Sequence, residues 1–274
     1  MSDVFDTSAI RDRVLAGWTA SSARFREDAN AEEELAHGGY RDQLVVELAQ
    51  NAADAAARTA APGRVRFTLD DVGGRPTLVV ANTGAPLTAG GVEALATLRA
   101  SAKRGGEVGV VGRFGVGFAA VLAVTDEPVI VSRTGGVRFS RRDTAALVAE
   151  ASRSAPGLGE EVRRRDGHVP VLRLPFAVEG EPADGYDTAV LLLLRDEAAA
   201  DLVRRLLTEA DDALLLALPS LERIELRLDG SERVLADAWD RWHVQRRSGQ
   251  FSAGEGEQLL ADRPTEERAR PYWS

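Results

Sequence analysis

From Gln43 to Ala57 the chain is apolar almost all the way round a helix. A helix turns about 100° per residue, so Glu47, Asn51 and Asp54, at i, i+4 and i+7, share one narrow stripe. Val45, Val46, Leu48, Ala49, Ala52, Ala53 and Ala56 cover nearly all the rest. A helix this apolar is mostly buried. Buried carboxylates are costly unless they are paired, hydrogen-bonded or metal-linked. The stripe therefore faces either solvent or a polar cavity, and the segment alone leaves both open.

The flanking sequence predicts the rest of the fold. Thr7 or Ser8 can cap a helix over residues 7–21, with Ile10, Val14, Leu15 and Trp18 on one face. A second helix runs from about 22 to 35, and Gly38-Gly39 breaks it. Ala61-Pro62-Gly63 ends the central helix. Residues 64–69 and 76–81 predict an antiparallel hairpin, and Asn82-Thr83-Gly84-Ala85-Pro86 ends it in a tight loop. A short helix is expected over 88–99. Residues 100–113 are small, polar and Gly-rich, the composition of a mobile cover.

A helix is expected from about 117 to 124 and a hairpin over 128–132 and 137–140. A helix over 142–152 and a charged surface excursion over 153–168 follow. Residues 171–174 and 188–194 read as strands, 196–218 as one helical region, and 223–228 with 233–236 as a last hairpin. This order predicts an α+β fold: a two-layer α/β sandwich with one mixed, mostly antiparallel sheet and helices on one face. It is not a dinucleotide-binding βαβ series, because Gly115-Val116-Gly117 follows a polar loop rather than a strand.

Composition narrows the chemistry. With 274 residues and 44% hydrophobic content the chain can build a normal core. A formal charge of −9 argues against nucleic-acid binding through a basic surface. The absence of Cys excludes thiolate metal sites and disulfides. His37, His168 and His243 lie far apart, without metal-ligand spacing. No apolar run reaches the roughly 18 residues of a membrane span. Met1-Ser2-Asp3-Val4 lacks the charged and apolar regions of a signal peptide, so a cytoplasmic protein is expected, with no membrane partner. Lys103 is the single lysine among many arginines. Ammonium and guanidinium are not equivalent, so its retention reads as function or as chance.

Gly112, Gly115 and Gly117 surround a predicted helix start. Glycines let backbone approach a ligand, and helix N-termini favour phosphate. Packing glycines explain the cluster equally well. The combination carries more than any part. An acid–amide stripe, a loop closing a strand, a lone Lys and a Gly-rich turn occur in this order. They can supply a metal ligand, a base-recognition loop, a charge clamp and an anion site. Magnesium takes oxygen ligands and often only one or two from protein. Asn51 can be one, and Glu47, a turn earlier, can then deprotonate a water facing a γ-phosphate.

These motifs resemble those of the Bergerat-fold, or GHKL, ATPases, the superfamily of gyrase, heat-shock chaperone, histidine kinase and MutL. Glu47-Leu48-Ala49-Gln50-Asn51-Ala52-Ala53-Asp54-Ala55 resembles the family's N-box. Val80-Ala81-Asn82-Thr83-Gly84 falls where its Asp-x-Gly loop lies. Val111-Gly112-Arg113-Phe114-Gly115-Val116-Gly117-Phe118 resembles the second Gly box, in a form similar to the ninety-kilodalton heat-shock chaperones. Tyr186-Asp187-Thr188-Ala189-Val190 resembles the late strand whose Thr helps hold adenine. The Glu-Leu-Ala-Gln-Asn form also resembles sacsin's ATPase modules. The similarity covers roughly residues 25–195.

The resemblance implies the following roles. ATP with Mg2+ is the ligand. Glu47 is the catalytic base, and Asn51 binds the metal and the nucleotide. Asp54, Ala55, Gly84 and Leu87 line the nucleotide, and Asn82 and Thr188 face adenine. Ser101 and Lys103 approach the phosphates from a lid, and the backbone from Arg113 through Phe114, Gly115, Val116 and Gly117 to Phe118 wraps them. Arg58 is expected at a solvated helix end. The implied protein is a slowly hydrolysing ATPase module, chaperone-like or sacsin-like, whose nucleotide state sets the lid. Client proteins, further domains of the same protein, or a second copy in a nucleotide-dependent homodimer would be its partners. A non-hydrolysing nucleotide sensor is the alternative.

Two departures matter. Asn82 stands where the family has Asp, and an amide can donate as well as accept, so weaker purine discrimination is expected. The stretch before the Gly box is shorter than in the heat-shock chaperones, so less complete lid closure is expected. Residues 1–220 are expected to form the ATP-binding domain. Residues 221–274 are expected to begin a following domain of a longer protein.

Overall fold

The computed structural model describes residues 3–37, 41–59, 61–97, 117–243, 245, 249–250 and 272–273. The chain divides into two compact units, Met1–Ala236 and Asp237–Ser274.

In the first unit α1 (Thr7–Ala20) and α2 (Ser22–His37) precede the central helix α3 (Leu44–Ala57). Strands β1 (Gly63–Asp71) and β2 (Pro76–Asn82) follow, then α4 (Ala89–Ala96) and a 3-10 stretch, Gly117–Ala123. Next come β3 (Pro128–Ser132), β4 (Gly135–Arg138), α5 (Arg141–Ser152), α6 (Pro156–Arg164), β5 (Phe176–Val178) and β6 (Thr188–Leu193). The unit ends with α7 (Glu197–Glu209), α8 (Asp212–Ala217), β7 (Leu221–Leu228) and β8 (Ser231–Ala236).

The architecture is α+β, with one mixed eight-stranded open sheet in the order β5-β4-β3-β6-β2-β1-β7-β8. Its neighbouring pairs are antiparallel except β1 with β7, which run parallel. Residues 221–236 therefore extend the first unit's sheet rather than opening a new domain after residue 220. Alternation sets the sheet's faces: Val65, Phe67 and Leu69 of β1 are buried, whereas Arg64, Arg66 and Thr68 between them are half-exposed. α3 and α7 both pack on β1 and β7.

A second part of the core joins α1, α2, α5 and α6 around Trp18, Phe25, Val148, Leu158, Val169 and Leu174. Trp18 and Phe25 meet edge to face, with ring centroids 5.2 Å apart. The Trp18 Nε1–H donates to Asp28 Oδ2 at 2.9 Å.

The structure departs from the sequence reading at several elements. Part of the expected surface excursion is the helix α6, which starts at Pro156 and buries Leu158 and Glu161. Its missed signal is the Pro at the first helical position, where no backbone N–H is needed. Residues 171–174 are not a strand. The backbone N–H groups of Val171 and Leu172 donate instead to the carboxylate of Glu32 on α2, so no strand ladder claims them. The strand of this region is β5, two residues later. The helix expected at 117–124 is 3-10, and the region 196–218 is two helices. Asp211 accepts from the Ala213 N–H at 2.9 Å and restarts the second.

The second unit holds α9 (Ala238–Arg241) and an antiparallel pair, β9 (Gly249–Gln250) with β10 (Tyr272–Trp273). Among the described residues no helix is long and apolar enough to cross a membrane.

Candidate functional site

The apolar sides of α3 are buried through Leu44, Val45, Leu48, Ala49, Ala52, Ala53, Ala55 and Ala56. Its polar stripe is not on the solvent side. Glu47, Asn51 and Asp54 are all half-buried. Of the two surroundings the sequence allows, solvent is the one the stripe avoids: the helix's exposed positions are elsewhere, at Val46, Gln50 and Ala57.

Glycine lets two other segments reach this helix. At Gly84, φ is +127°, and an added Cβ would stand 2.6 to 2.7 Å from the backbone of Ala55 and Ala56. Only a residue without a side chain fits there. The Ala85 N–H donates to the Ala55 carbonyl at 2.9 Å and fastens the loop to the helix. At Gly117 an added Cβ would overlap the carboxylate of Glu47.

A hollow opens between α3, the inner face of the sheet and the 84–88 loop. It encloses about 580 Å³ of space free of protein atoms, open solvent at its mouth included. Leu48, Asn51, Ala55 and Arg58 form its α3 wall, and Leu87 and Phe118 close it from other sides. Strand register builds its floor in two rows. Ile130, Val190 and Val80 are cross-strand neighbours and make an apolar row. Thr188 and Asn82 make the polar row beside it, and Ser132, across from Thr188 on β3, continues that register outside the lining.

The loop and the polar row are held by side chains. The Gly84 N–H donates to Asp187 Oδ2 at 2.9 Å, and Arg133 pairs with Asp187 Oδ1 at 3.0 Å. The Leu87 N–H donates to Ser132 Oγ at 3.0 Å, and Thr134 Oγ1 donates to the Leu87 carbonyl at 2.6 Å. Asn82 is buried, and its Nδ2 donates to the Thr83 carbonyl at 3.1 Å.

Two features of the α3 stripe bear on chemistry. Burial pushes the Glu47 carboxyl above its ordinary pKa, and the Asp54 charge adds to this. Among the described residues the buried Asn51 side-chain nitrogen has no hydrogen-bond partner. Unsatisfied buried amides are costly, and rotating this one exchanges donor for acceptor at the same place. Among the described residues no group of three or more His, Cys, Asp or Glu could hold a metal ion. A magnesium ion carried by phosphates does not need one.

The residues expected at a nucleotide site are distributed as follows. Asn51, Ala55, Asn82, Leu87, Phe118 and Thr188 line the hollow. Gly84 sits in the loop at its edge, and Glu47 and Gly117 touch each other. Asp54 is not on the lining; it accepts from Gln50 Nε2 at 2.9 Å. Ser101, Lys103, Arg113, Phe114, Gly115 and Val116, with the expected lid, lie outside the described residues. Arg58 is exposed, as a helix end should be, and it also lines the hollow. Ser132, Thr134 and the supporting role of Asp187 were not foreseen. Cross-strand register brings Ser132 in, and Thr134 and Asp187 follow from the turn and the bend beside it; a single sequence displays neither.

No protein-family model matches the chain, and no curated protein matches it in sequence.

Proposed function

We propose that this chain is an ATP-binding, slowly hydrolysing module of the GHKL, Bergerat-fold type. The observation that carries this reading is the convergence on one hollow of Asn51, Asn82 and Thr188, with Glu47 set against Gly117 beside it. The mixed sheet with helices on it is compatible with the two-layer sandwich of that fold.

The division of labour follows from the surroundings. The apolar row of Val80, Val190 and Ile130, with Leu48, offers a surface for a flat ring. Asn82 and Thr188 offer polar atoms at one edge of it. Gly117 lets a backbone and a carboxylate lie closer than any side chain would permit. Glu47, with its raised pKa, is suited to draw a proton from a water molecule. Asn51 is the residue that would hold magnesium, and the ion's contribution would be to compensate phosphate charge. Chaperone-like or sacsin-like coupling to other domains, clients or a second copy belongs to the same proposal.

Calorimetric titration of the full chain with ATP and magnesium tests binding, and phosphate release tests turnover. Glu47→Ala is expected to keep binding and abolish release. A chain indifferent to adenine nucleotides at millimolar concentration would end the reading. Binding without any release would leave a nucleotide sensor in its place.

A further inference from the structure

The polar row on the floor of the hollow leaves its hydrogen atoms little choice. Ser132 Oγ lies 2.9 Å from the carbonyl oxygen of Asp187. A carbonyl only accepts, so the Ser132 hydroxyl proton goes there. The same Oγ accepts from the Leu87 N–H at 3.0 Å. A serine hydroxyl has one proton and two lone pairs. The lone pair that remains faces Thr188 Oγ1 at 3.0 Å. Thr188 is therefore the donor in that contact. Its oxygen turns only lone pairs toward the hollow.

Asn82 is oriented in the same sense. Its Nδ2 donates to the Thr83 carbonyl, and reversing the amide would set two acceptor oxygens against each other at 3.1 Å. That bond uses one of the two Nδ2 hydrogens and fixes the amide's orientation, and the carboxamide oxygen is free to accept from a ligand.

We infer that Ser132 is a specificity-positioning residue: it turns the Thr188 hydroxyl so that Thr188 and Asn82 together offer acceptors, a floor that takes a 6-amino purine and rejects a 6-oxo purine. Ser132 acts through Thr188, since it is itself buried and does not line the hollow. The inference rests on the adenine-nucleotide reading and sharpens it. It also limits the loss of selectivity expected from Asn82, because the bond to Thr83 holds the amide in the orientation in which its oxygen can accept. The 6-amino group of adenine brings N–H donors, whereas the 6-oxo group brings an acceptor. Polar groups left unpaired in a buried site are what reject a near-isosteric ligand.

The test is calorimetric titration of the full chain, with magnesium, using ATP and inosine triphosphate. The wild type is expected to prefer ATP about tenfold or more. Ser132→Ala frees the Thr188 proton to turn toward the ligand, and the preference is expected to shrink by about fivefold. Ser132→Thr keeps a hydroxyl and is expected to keep the preference. Thr188→Val removes the acceptor directly and serves if Ser132→Ala does not fold. Equal affinity of the wild type for the two nucleotides overturns the inference and leaves nucleotide binding intact. So does a preference unchanged in both Ser132→Ala and Thr188→Val. A wild type that binds neither nucleotide overturns the reading beneath it as well.

Discussion

The carboxylate of Glu47 lies against the α-carbon of Gly117, where a methyl group would overlap it. The contact joins the polar stripe of α3 to the start of the 3-10 stretch. What stands in the way of a side chain is the tip of a flexible carboxylate, not backbone. The fold can therefore accept a methyl by swinging Glu47 aside, but the carboxylate proposed as base then leaves its place. Gly117→Ala is expected to change stability by no more than about 1 kcal/mol. Its phosphate release is expected to fall by about a hundredfold, the lower end of what a general base contributes. Urea unfolding and a phosphate assay measure the two separately. Unchanged release would disconnect this contact from the chemistry.

Gly84 is a different kind of glycine. Its φ of +127° is strained for any other residue, and the atoms an alanine Cβ would strike belong to the backbone of Ala55 and Ala56. Neither obstacle can swing away. Strain and overpacking each cost about 1–3 kcal/mol, so Gly84→Ala is expected to destabilise by about 3 kcal/mol. Gly74, at φ +81° in the β1–β2 turn with nothing within 4 Å, is the control. Its replacement by Ala should cost only about 1 kcal/mol. Paired denaturant curves decide it. Equal losses at the two sites would mean that the 84–85 loop does not need its seat on α3.

How much of this was readable beforehand depended on the range of the signal. The central helix and its stripe rest on a period of 3.6 within one segment, and α3 runs from Leu44 to Ala57. The β1–β2 hairpin rests on alternation and a Gly-Gly turn, and it pairs with Asp71 opposite Pro76. Both signals are local. Val171 to Leu174 looked like a strand for an equally local reason, yet two of its N–H groups go to Glu32, well over a hundred residues earlier. The parallel pairing of β7 with β1 also joins distant segments, and it carries the first unit past residue 220. The floor of the hollow shows the same division. Asn82 and Thr188 could be named from motifs, but Ser132 joins them only through strand register.

Glu32 itself predicts a pH dependence of stability. Burial pushes its carboxyl up to about 7, outweighing the two backbone donors and the charges of Arg173 and Arg141. The folded pKa thus lies above the unfolded value of 4.5, and the folded state holds the proton longer. Stability from this group is full below the unfolded pKa and is lost as pH rises through the folded one. Over that window the loss is at most about 3 kcal/mol. Glu32→Gln cannot ionise. Measured by urea unfolding, its stability relative to wild type should improve between about pH 5 and pH 8. A difference that stays constant with pH would show that Glu32 does not change charge there.

The rate should depend on pH through Glu47. Burial raises its pKa first and the charge of Asp54 second. A carboxylate in the proposed role of base works only when ionised, so turnover should rise with pH through a midpoint above that of an ordinary carboxylate. Asp54 accepts a bond from Gln50 and does not line the hollow, so its change need not disturb ligand contacts. Asp54→Asn removes the second cause and leaves the first. The rising limb should move toward acid and remain above the ordinary carboxylate position, with affinity for ATP little changed. Glu47→Gln should erase the limb altogether. Phosphate release measured across the acid range in wild type, Asp54→Asn and Glu47→Gln separates the outcomes. A limb that Asp54→Asn leaves in place would show that the Asp54 charge does not reach Glu47. A limb that survives Glu47→Gln would assign the base to another residue.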